Sequence, residues 1–423
     1  MKKVKTTFGT NGSISVTECQ ICSGSNLETI LSLGYIPPVS TSQEINKAKG
    51  QMHYPTDLLY CSTCHLVQIG VIVDPKILFQ PEYTYTSSTT RVLRENFMEL
   101  YKESSGLISM KKKDLVVDIG SNDGNLLSNF KDNHRVLGIT PENEGKTAIK
   151  RGIPTVIDFF NTPVVKNVIK KHGKAKVVTA TNVFAHIEDV DTVVKNILSL
   201  LQTDGVFISE SHYVMPLLKT LQYDTIYHEH LRYYSLHSIQ YLLEQHGLEI
   251  FHAKQIPTHG GSIRVYASRK GKYPVKDSVL KILQDEKKLI SDKKLFAAFR
   301  ESVIASKLQL YAILNKIRKS KKKVYGISAP ARSTTLIHYT GLDETLLECV
   351  VEIAGSNKIG KYIPGTLIPV YEEGKLIKDQ PEYALLLSWH IAKELMPKLK
   401  KIGYKGDFIV PLPIPKVVKN KEV

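Results

Sequence analysis

Val-Val-Asp-Ile-Gly-Ser-Asn-Asp-Gly-Asn-Leu-Leu, residues 116–127, is the stretch of the chain that decides its fold. The apolar run from Leu115 to Ile119 contains a single acid and predicts a buried strand. Gly120 to Gly124 is a tight polar turn, and residues 125–131 are typical of the first turns of a helix. Strand, glycine-rich turn and helix together open the nucleotide-binding half of a doubly wound sheet. There the glycines admit a ligand close to the backbone, and the helix N-terminus offers free N–H groups.

The glycine spacing separates this turn from the dinucleotide-binding one. It is not Gly-x-Gly-x-x-Gly, and Asn122 and Asp123 between two widely spaced glycines suit a ligand without a pyrophosphate. The pattern Asp-x-Gly-x-x-x-Gly resembles the first motif of the class I S-adenosylmethionine-dependent methyltransferases. For so short a motif, the alternative is an ordinary strand-to-helix turn.

The alternating pattern of residues 115–248 predicts an α/β fold with a parallel sheet. In many nucleotide-binding sheets an acid after the second strand binds the ribose hydroxyls. Here that position is Thr140, with Glu142 two residues on. Asn182 to His186 follows a later strand and is expected at the C-terminal edge of the sheet, where ligands bind. Further strands are predicted at Val136–Ile139, Lys176–Ala180 and Gly205–Ser209.

Four of the five cysteines form two Cys-x-x-Cys pairs, Cys19 with Cys22 and Cys61 with Cys64. In a cytoplasmic chain this spacing indicates a metal rather than disulfides. Four thiolates suit a tetrahedral Zn²⁺ with no open position, so the ion is predicted to be structural. The fifth cysteine, Cys349, stands alone.

Composition limits the partners of the chain. It has 423 residues and a formal net charge of +16, and this length predicts two to four domains. Because the excess charge is mostly scattered lysine, a solvated surface is favoured over nucleic-acid binding. No apolar run follows Met1-Lys2-Lys3, and no stretch approaches the ~18 apolar residues that span a membrane. The sequence therefore predicts a cytoplasmic protein without membrane contact.

Residues 223–234, Tyr-Asp-Thr-Ile-Tyr-His-Glu-His-Leu-Arg-Tyr-Tyr, gather titratable and aromatic groups that are costly to bury. His228 and His230 with Glu229 could ligate a metal, but alternating histidines point to opposite faces of a strand. Acid–base chemistry fits better. It needs a histidine to move a proton, a carboxylate to set its pKa and a tyrosine hydroxyl to hold an oxyanion.

Three other polar stretches are candidate ligand contacts. The aromatic loop at residues 81–90 could close over a ligand or serve as a surface linker. The turn at residues 258–262 precedes a strand that carries Arg264 early, where it could meet a phosphate. After a long lysine-rich helix predicted at residues 275–323, a strand and a turn with Arg332 open a second α/β unit. That turn could bind an anion through its N–H groups or be an empty scaffold.

Together these segments resemble one family, the sugar C-methyltransferases that add a methyl branch to nucleotide-linked keto-deoxyhexoses. The resemblance runs from Cys19 to about Pro415, and its most specific motifs are Tyr227-His-Glu-His230 and His259-Gly-Gly-Ser-Ile-Arg264. It implies three domains. They are a zinc-binding domain at residues 1–80, a class I methyltransferase domain at 81–270, and a helical linker with a C-terminal Rossmann-like domain at 271–423 that helps to hold the nucleotide-sugar.

The resemblance also implies roles for individual residues. His230 is expected to be the catalytic base, with Glu229 and Tyr227 beside it and with His186 and Tyr83 lining the pocket. The expected contacts of S-adenosylmethionine are Asp118, Gly120, Asn122, Asp123, Gly124, Asn182 and Ser88. Those of the substrate are Tyr85, His259, Gly260, Arg264 and Arg332.

Two positions depart from the family pattern. Thr140 replaces the acid expected at the cofactor ribose. Arg332 and Ser333 stand where members often carry lysine and glycine, which leaves the nucleotide open.

The implied reaction is methylation of a sugar carbon, C3, next to a C4 ketone, by a monomer or homodimer. Carbon is a poor nucleophile unless a neighbouring ketone acidifies its proton. His230 would remove that proton, Tyr227 would hydrogen-bond the enolate oxygen, and Glu229 would orient the histidine and raise its pKa. Two other classes stay open, a methyltransferase acting on RNA or protein and a non-catalytic protein that binds a nucleotide-sugar.

Overall fold

The computed structural model describes residues 12–79, 88, 90–290, 292 and 294–423. Within these ranges the strands form a two-stranded ribbon and sheets of four, seven and six strands. The predicted α/β class with an added cysteine-bearing region is confirmed.

The four-stranded sheet carries the cysteine pairs and has the order β11-β4-β3-β2. Its fourth strand comes from far along the chain, since Arg232 of β11 pairs with Gln68 of β4, and Tyr233 with Val67. The segment that contains Tyr227 to His230 is therefore attached to the cysteine-bearing sheet. The first elements are β1 (Ser13–Ser15), β2 (Leu27–Ile36), β3 (Tyr54–Cys61), β4 (Val67–Ile69), β5 (Val71–Val73) and α1 (Pro75–Leu78).

The seven-stranded sheet has the order β12-β13-β10-β9-β6-β7-β8, parallel from β10 to β8 with β13 and β12 antiparallel at one edge. All five residues of β6 are buried, as expected of a central parallel strand. The elements are α2 (Arg91–Leu107), β6 (Leu115–Ile119), β7 (Arg135–Thr140), α3 (Gly145–Lys150), β8 (Thr155–Ile157), α4 (Thr162–His172), β9 (Ala175–Thr181), α5 (Val190–Leu200), β10 (Leu201–His212), α6 (Val214–Lys219), β11 (Arg232–Tyr233), α7 (Leu236–Glu244), β12 (Leu248–Ile256) and β13 (Ser262–Arg269).

The six-stranded sheet has the order β16-β15-β14-β17-β18-β19, parallel except for β19. It is the second α/β unit that the sequence predicts. Its elements, with the two helices before it, are α8 (Asp277–Ile290), α9 (Leu295–Lys319), β14 (Val324–Ile327), α10 (Ala331–Thr340), β15 (Cys349–Glu352), β16 (Val370–Glu372), α11 (Gly374–Asp379), β17 (Tyr383–Leu386), α12 (Ala392–Lys401), β18 (Asp407–Val410) and β19 (Lys416–Val418).

Two of the helix predictions are wrong. The glycine-rich turn leads into one 3₁₀ turn, Leu127–Asn129, rather than an α-helix. There the side chains of Ser128 and Asn129 donate to the carbonyl of Asn125, and such local bonds compete with a helix. The helix expected at residues 275–323 is two helices, α8 and α9.

Among the helices that the structure describes, none combines the length and the apolar character needed to cross a bilayer.

Candidate active site

The glycine-rich turn is packed so tightly that it requires its glycines. Gly120 has φ +70°, and a Cβ there would lie 2.3 Å from Cγ2 of Val183, in the loop after β9. Gly124 has φ +78°, and a Cβ there would lie 2.6 Å from Cδ1 of Ile153. These positions combine a left-handed backbone with close neighbours, which only glycine allows without strain.

A carboxylate from the loop after β7 reaches the glycine-rich turn, and it belongs to Glu142 rather than to the position of Thr140. Nδ2 of Asn122 donates to Oε2 of Glu142 at 2.7 Å. The Oγ1 of Thr140 is buried, and it has no hydrogen-bond partner among the described residues. Burial raises the pKa of Glu142. Glu142, two residues beyond the expected position, is therefore the acid beside this turn.

The carboxylates of Asp118, in β6, and Asp123, in the glycine-rich turn, are buried. Asp118 accepts a bond from Oγ1 of Thr179 at 2.6 Å, and burial raises its pKa to about 7. Asp123 accepts a bond from Nη1 of Arg151 at 2.9 Å, and Nη2 of the same arginine lies 3.4 Å from Oγ of Ser88. This chain of contacts brings Ser88 to the turn. Direct contacts of these side chains with the cofactor stay a prediction.

The residues around the turn fit a bound cofactor. Asn182 has φ +56°, and its N–H donates to the carbonyl of Glu210 at 2.8 Å. Its Oδ1, like Oγ of Ser121, is buried without a hydrogen-bond partner in the described part of the chain. Buried polar atoms are normally bonded, so these two mark places where ligand atoms can supply the missing bonds.

Gly120→Ala is expected to weaken the affinity for S-adenosylmethionine roughly 5- to 150-fold, because the new Cβ must displace Val183 and hold a left-handed backbone, a cost of about 1–3 kcal/mol. Isothermal titration calorimetry measures the affinity. Gly152→Ala is the matched control, since Gly152 has φ +78° but no atom within 4 Å of an added Cβ. That variant should lose stability and keep its affinity. Equal affinities in the two variants would contradict the prediction.

Four histidines converge at the ends of separate strands and loops. His230 lies at the centre, its ring centroid 5.0 Å from that of His186 and 4.6 Å from that of His212. His259 stacks against His212 at 5.6 Å. The structure therefore brings together three predicted site histidines and adds His212.

A backbone carbonyl orients the ring of His230. Its Nδ1 lies 2.8 Å from the carbonyl oxygen of Thr225, and a carbonyl can only accept, so Nδ1 carries the hydrogen. In the neutral ring the lone pair is then on Nε2. The ring of Tyr227 lies against His230, with 4.1 Å between centroids. We expected Glu229 to orient the histidine, and the bond that orients Nδ1 comes from Thr225 instead.

All four rings are held neutral. Burial lowers the pKa of His186 and of His259 to about 4. It lowers the pKa of His212 and of His230 well below the ordinary value, with repulsion from the neighbouring histidines and from Arg332 adding to the effect. A neutral imidazole with its lone pair on Nε2 can accept a proton.

The ring of His228 lies against β3 rather than in the cluster of four histidines. Its Nε2 lies 3.1 Å from the carbonyl of Pro55 and 3.2 Å from Oγ1 of Thr56, on β3. His228 and His230 thus face different neighbours, and among the described residues the four cysteines are the group able to hold a metal. The metal alternative for His228, Glu229 and His230 therefore has no support.

His228 should make stability depend on pH. Burial lowers its pKa to about 4, against 6.5 for a free side chain. Between these values the unfolded chain binds a proton that the folded chain does not, so stability rises with pH across this window. Lowering the pH from 6.5 to 4 should remove about 3 kcal/mol of unfolding free energy through this residue. In His228→Gln, whose Nε2 can replace the ring donor, urea unfolding should show a shallower pH dependence. A slope equal to that of the wild type would contradict the assignment.

The prediction that Arg264 meets a phosphate is wrong. Its guanidinium is fully buried, and it donates to Glu210 at 2.6 Å, to Glu99 at 2.5 Å and to Glu103 at 2.8 Å. Its Nη2 donates to Oδ1 of Asn96 at 2.9 Å. Because three carboxylates already neutralise this arginine, it has no free charge for a phosphate. Its bonds connect α2 to the seven-stranded sheet instead.

The other predicted substrate contacts lie near the histidines or outside the described part. Arg332 is 7% exposed and makes two bonds of 2.7 Å with Asp224. The carbonyl of Gly260 accepts a bond from Gln222 at 2.6 Å, which fixes the turn that carries His259. Tyr83 and Tyr85 fall outside the residues that the structure describes.

The four predicted metal ligands converge. Sγ of Cys19 lies 3.4 Å from Sγ of Cys64, and Sγ of Cys22 lies 3.5 Å from Sγ of Cys61. All four sulfurs lie within 4.8 Å of one another. Sulfur ligands 2.3 Å from a tetrahedral zinc would be roughly 3.8 Å apart. The cluster therefore fits a structural zinc ion with all four positions filled by the chain.

Comparison with known proteins decides the family. Residues 19–79 match the model of a zinc binding domain, residues 88–253 that of a methyltransferase domain, and residues 257–413 that of a C-methyltransferase C-terminal domain. C-methyltransferase NovU of Streptomyces niveus is 30% identical over 409 residues, which cover 95% of this chain and 97% of that protein. The chain belongs to the C-methyltransferase family. This C-methyltransferase depends on S-adenosylmethionine and has a zinc-binding region, as the sequence predicts.

Solved structures show a more distant likeness. A methyltransferase of Anabaena variabilis is 14% identical, with a TM-score of 0.35 over 44% of this chain and 88% of that one. Magnesium protoporphyrin IX methyltransferase of Synechocystis, solved with S-adenosylhomocysteine, is 15% identical, with a TM-score of 0.33 over 42% of this chain and 83% of that one. Scores this low carry no argument about the site.

His212 is a member of the histidine cluster that was not predicted, although the sequence carries a signal for it. The strand predicted at Gly205–Ser209 extends to His212, which places this histidine at the end of β10, next to β9. The rule that picked out Asn182 to His186 after β9 applies equally to the end of β10. The role of the Thr225 carbonyl had no signal, because any residue carries a carbonyl.

Proposed function

We propose that this C-methyltransferase methylates C3 of a nucleotide-linked 4-keto-deoxy sugar, with His230 as the base that removes the C3 proton. The observation that carries the proposal is the orientation of His230. Its Nδ1 is bonded to the Thr225 carbonyl at 2.8 Å, so its Nε2 lone pair is available within a cluster of neutral histidines. The sugar class itself rests on the family motifs Tyr227-His-Glu-His230 and His259-Gly-Gly-Ser.

The chain's own residues perform the proton transfer. Nε2 of His230 takes the proton from C3 while the electron pair of that C–H bond moves toward the C4 ketone oxygen. Tyr227, packed on His230, is the proposed hydrogen-bond donor to the enolate oxygen. S-adenosylmethionine, when bound, supplies the electrophilic methyl group that the enolate carbon attacks. General-base assistance of this kind contributes roughly 10²–10⁴-fold.

The proposed place for the substrate diphosphate is the N-terminus of α10. Ser333 and Thr334 lie in the first turn of this helix, with Lys358 beside them. The ammonium of Lys358 donates to the carbonyl of Ala329, at the end of the turn that leads into α10. Helix N–H groups and a lysine suit a diphosphate, and we propose this position in place of Arg264.

A panel of nucleotide-linked keto sugars tests the function. Purified protein, methyl-labelled S-adenosylmethionine and each sugar are incubated, and mass spectrometry locates the label. We expect transfer to a carbon of one 4-keto sugar, with loss of a solvent-exchangeable C3 proton. Transfer to RNA or protein, or no transfer to any sugar, would overturn the proposal in favour of the alternative classes.

A further inference from the structure

Asp224 is a buried carboxylate that three hydrogen bonds tie to the C-terminal part of the chain. Its Oδ2 accepts from Nε of Arg332 and its Oδ1 from Nη2, each at 2.7 Å. Oδ2 also accepts from Nε1 of Trp389 at 2.7 Å. The guanidinium of Arg332 lies 5.0 Å from the centre of the Trp389 ring. Asp224 lies in the stretch that matches the methyltransferase model, and both donors lie in the stretch that matches the C-terminal model.

The residues after Asp224 continue the same connection. The carbonyl of Thr225 accepts from Nδ1 of His230 at 2.8 Å and from the hydroxyl of Tyr233 at 3.0 Å. The carbonyl of Ile226 accepts from Oγ1 of Thr335, on α10, at 3.1 Å. Residues 224–226 are thus bonded to the C-terminal unit at both ends, and the residue between those two ends is bonded to His230.

The segment is too short to absorb a shift. Asp224 and Thr225 are consecutive residues of one 3₁₀ turn, Tyr223–Thr225, and both are at most 2% exposed. Consecutive Cα atoms are about 3.8 Å apart across a rigid peptide plane. The bonds to its carboxylate hold the backbone of Asp224 in place, and a backbone shift of Asp224 would move the Thr225 carbonyl and with it the ring that this carbonyl orients.

We propose that Arg332 and Trp389 are positioning residues that hold Asp224, and through the Thr225 carbonyl set the direction of Nε2 of His230. The C-terminal unit then completes the site as well as contributing to substrate binding. This proposal rests on the proposed role of His230, and it replaces a direct substrate contact as the main task of Arg332.

Two variants test the geometry. Asp224→Asn keeps the shape of the side chain but loses the charge that the arginine fork requires, and Arg332→Lys keeps the charge but loses the fork. We expect each to lower kcat by 10- to 100-fold per folded molecule, with the S-adenosylmethionine affinity within twofold of wild type. Combining them should cost less than the product of the single effects. The control is Arg269→Lys, because the Arg269 side chain donates to the carbonyls of Gln202 and Leu198, away from Asp224, and this variant should leave kcat unchanged.

Two readouts separate positioning from simple stabilisation. Nitrogen NMR of His230 should show the Nδ1–H form in the wild type and a mixture of both neutral forms in Asp224→Asn. In addition, the charge of Arg332 lowers the pKa of His230. The acidic limb of kcat/KM should therefore move to higher pH in Arg332→Gln and stay in place in Arg332→Lys.

A milder variant keeps the test decisive if those proteins do not fold. Trp389→Phe keeps an aromatic ring beside Arg332 and removes the N–H donor to Asp224, so kcat should fall a few-fold. An unchanged His230 signal and unchanged kcat in the variants that fold would overturn the proposal. Because the NMR readout needs no substrate, a changed His230 signal in an enzyme that methylates no keto sugar would overturn the proposed function and leave the positioning role standing.

Discussion

His230→Asn is expected to lower turnover by at least two orders of magnitude and to leave the affinity for S-adenosylmethionine near that of the wild type. The asparagine amide occupies the place of Nδ1 and can still donate to the Thr225 carbonyl, which accepts at 2.8 Å in the native protein. What it lacks is Nε2, the atom proposed to take the proton. General-base assistance is worth roughly 10²–10⁴-fold, so the loss should appear in kcat.

Two measurements make this test specific. With S-adenosylhomocysteine in place of the methyl donor, the wild type should exchange the C3 proton of the sugar with deuterated water, and His230→Asn should not. The matched control is His228→Gln, since His228 is equally buried two residues away but bonds to β3 at Pro55. That variant should retain turnover. More than a tenth of wild-type turnover in His230→Asn would show that another group is the base.

Cys64→Ser, or removal of zinc by a chelator, is expected to unfold the N-terminal region. Structural zinc sites contribute about 10–16 kcal/mol of apparent binding free energy, which becomes folding free energy. Turnover should fall as well, because β11 belongs to the cysteine-bearing sheet and begins two residues after His230. The N–H of Ile69 also donates to the carbonyl of Leu231 at 3.1 Å. Metal analysis should find one zinc per wild-type chain, and calorimetry should show a lower melting temperature for the variant.

Cys349→Ser is the control for the metal site. Cys349 is 1% exposed in the six-stranded sheet, outside the cluster of four. Cys349→Ser should lower the free energy of unfolding by about 1–3 kcal/mol, because it buries a hydroxyl, and the variant should retain its zinc. Full zinc content in Cys64→Ser, or full turnover after zinc removal, would contradict the proposed coupling.

The parts of the site that could be predicted were those carried by local patterns. Gly120 and Gly124 lie in a strand-to-turn motif that can be recognised within twelve consecutive residues. Cys19, Cys22, Cys61 and Cys64 were readable because a metal site needs a fixed set of ligand types at a fixed spacing. Residues 223–234 stood out because they gather groups that are costly to bury, and the resemblance to the family singled out His230 among them.

Contacts between distant segments decided two features that the sequence leaves open or predicts wrongly. Arg264 lies early in its strand, as predicted, but α2 supplies Glu99 and Glu103 and leaves it no free charge for a phosphate. The sequence places Glu142 two residues after Thr140 but does not decide that it bonds to Asn122, because the direction of its side chain depends on the path of the loop after β7.

The sequence by itself determined the family, the cofactor class and the four cysteines of the zinc-binding region. These depend on residue type and on spacing along the chain. Only the tertiary structure decided that His212 joins the cluster, that a backbone carbonyl orients His230, and that Arg332 of α10 bonds to Asp224. The reason is physical: a hydrogen bond depends on the distance and angle between two atoms, and for residues 108 positions apart folding alone sets both.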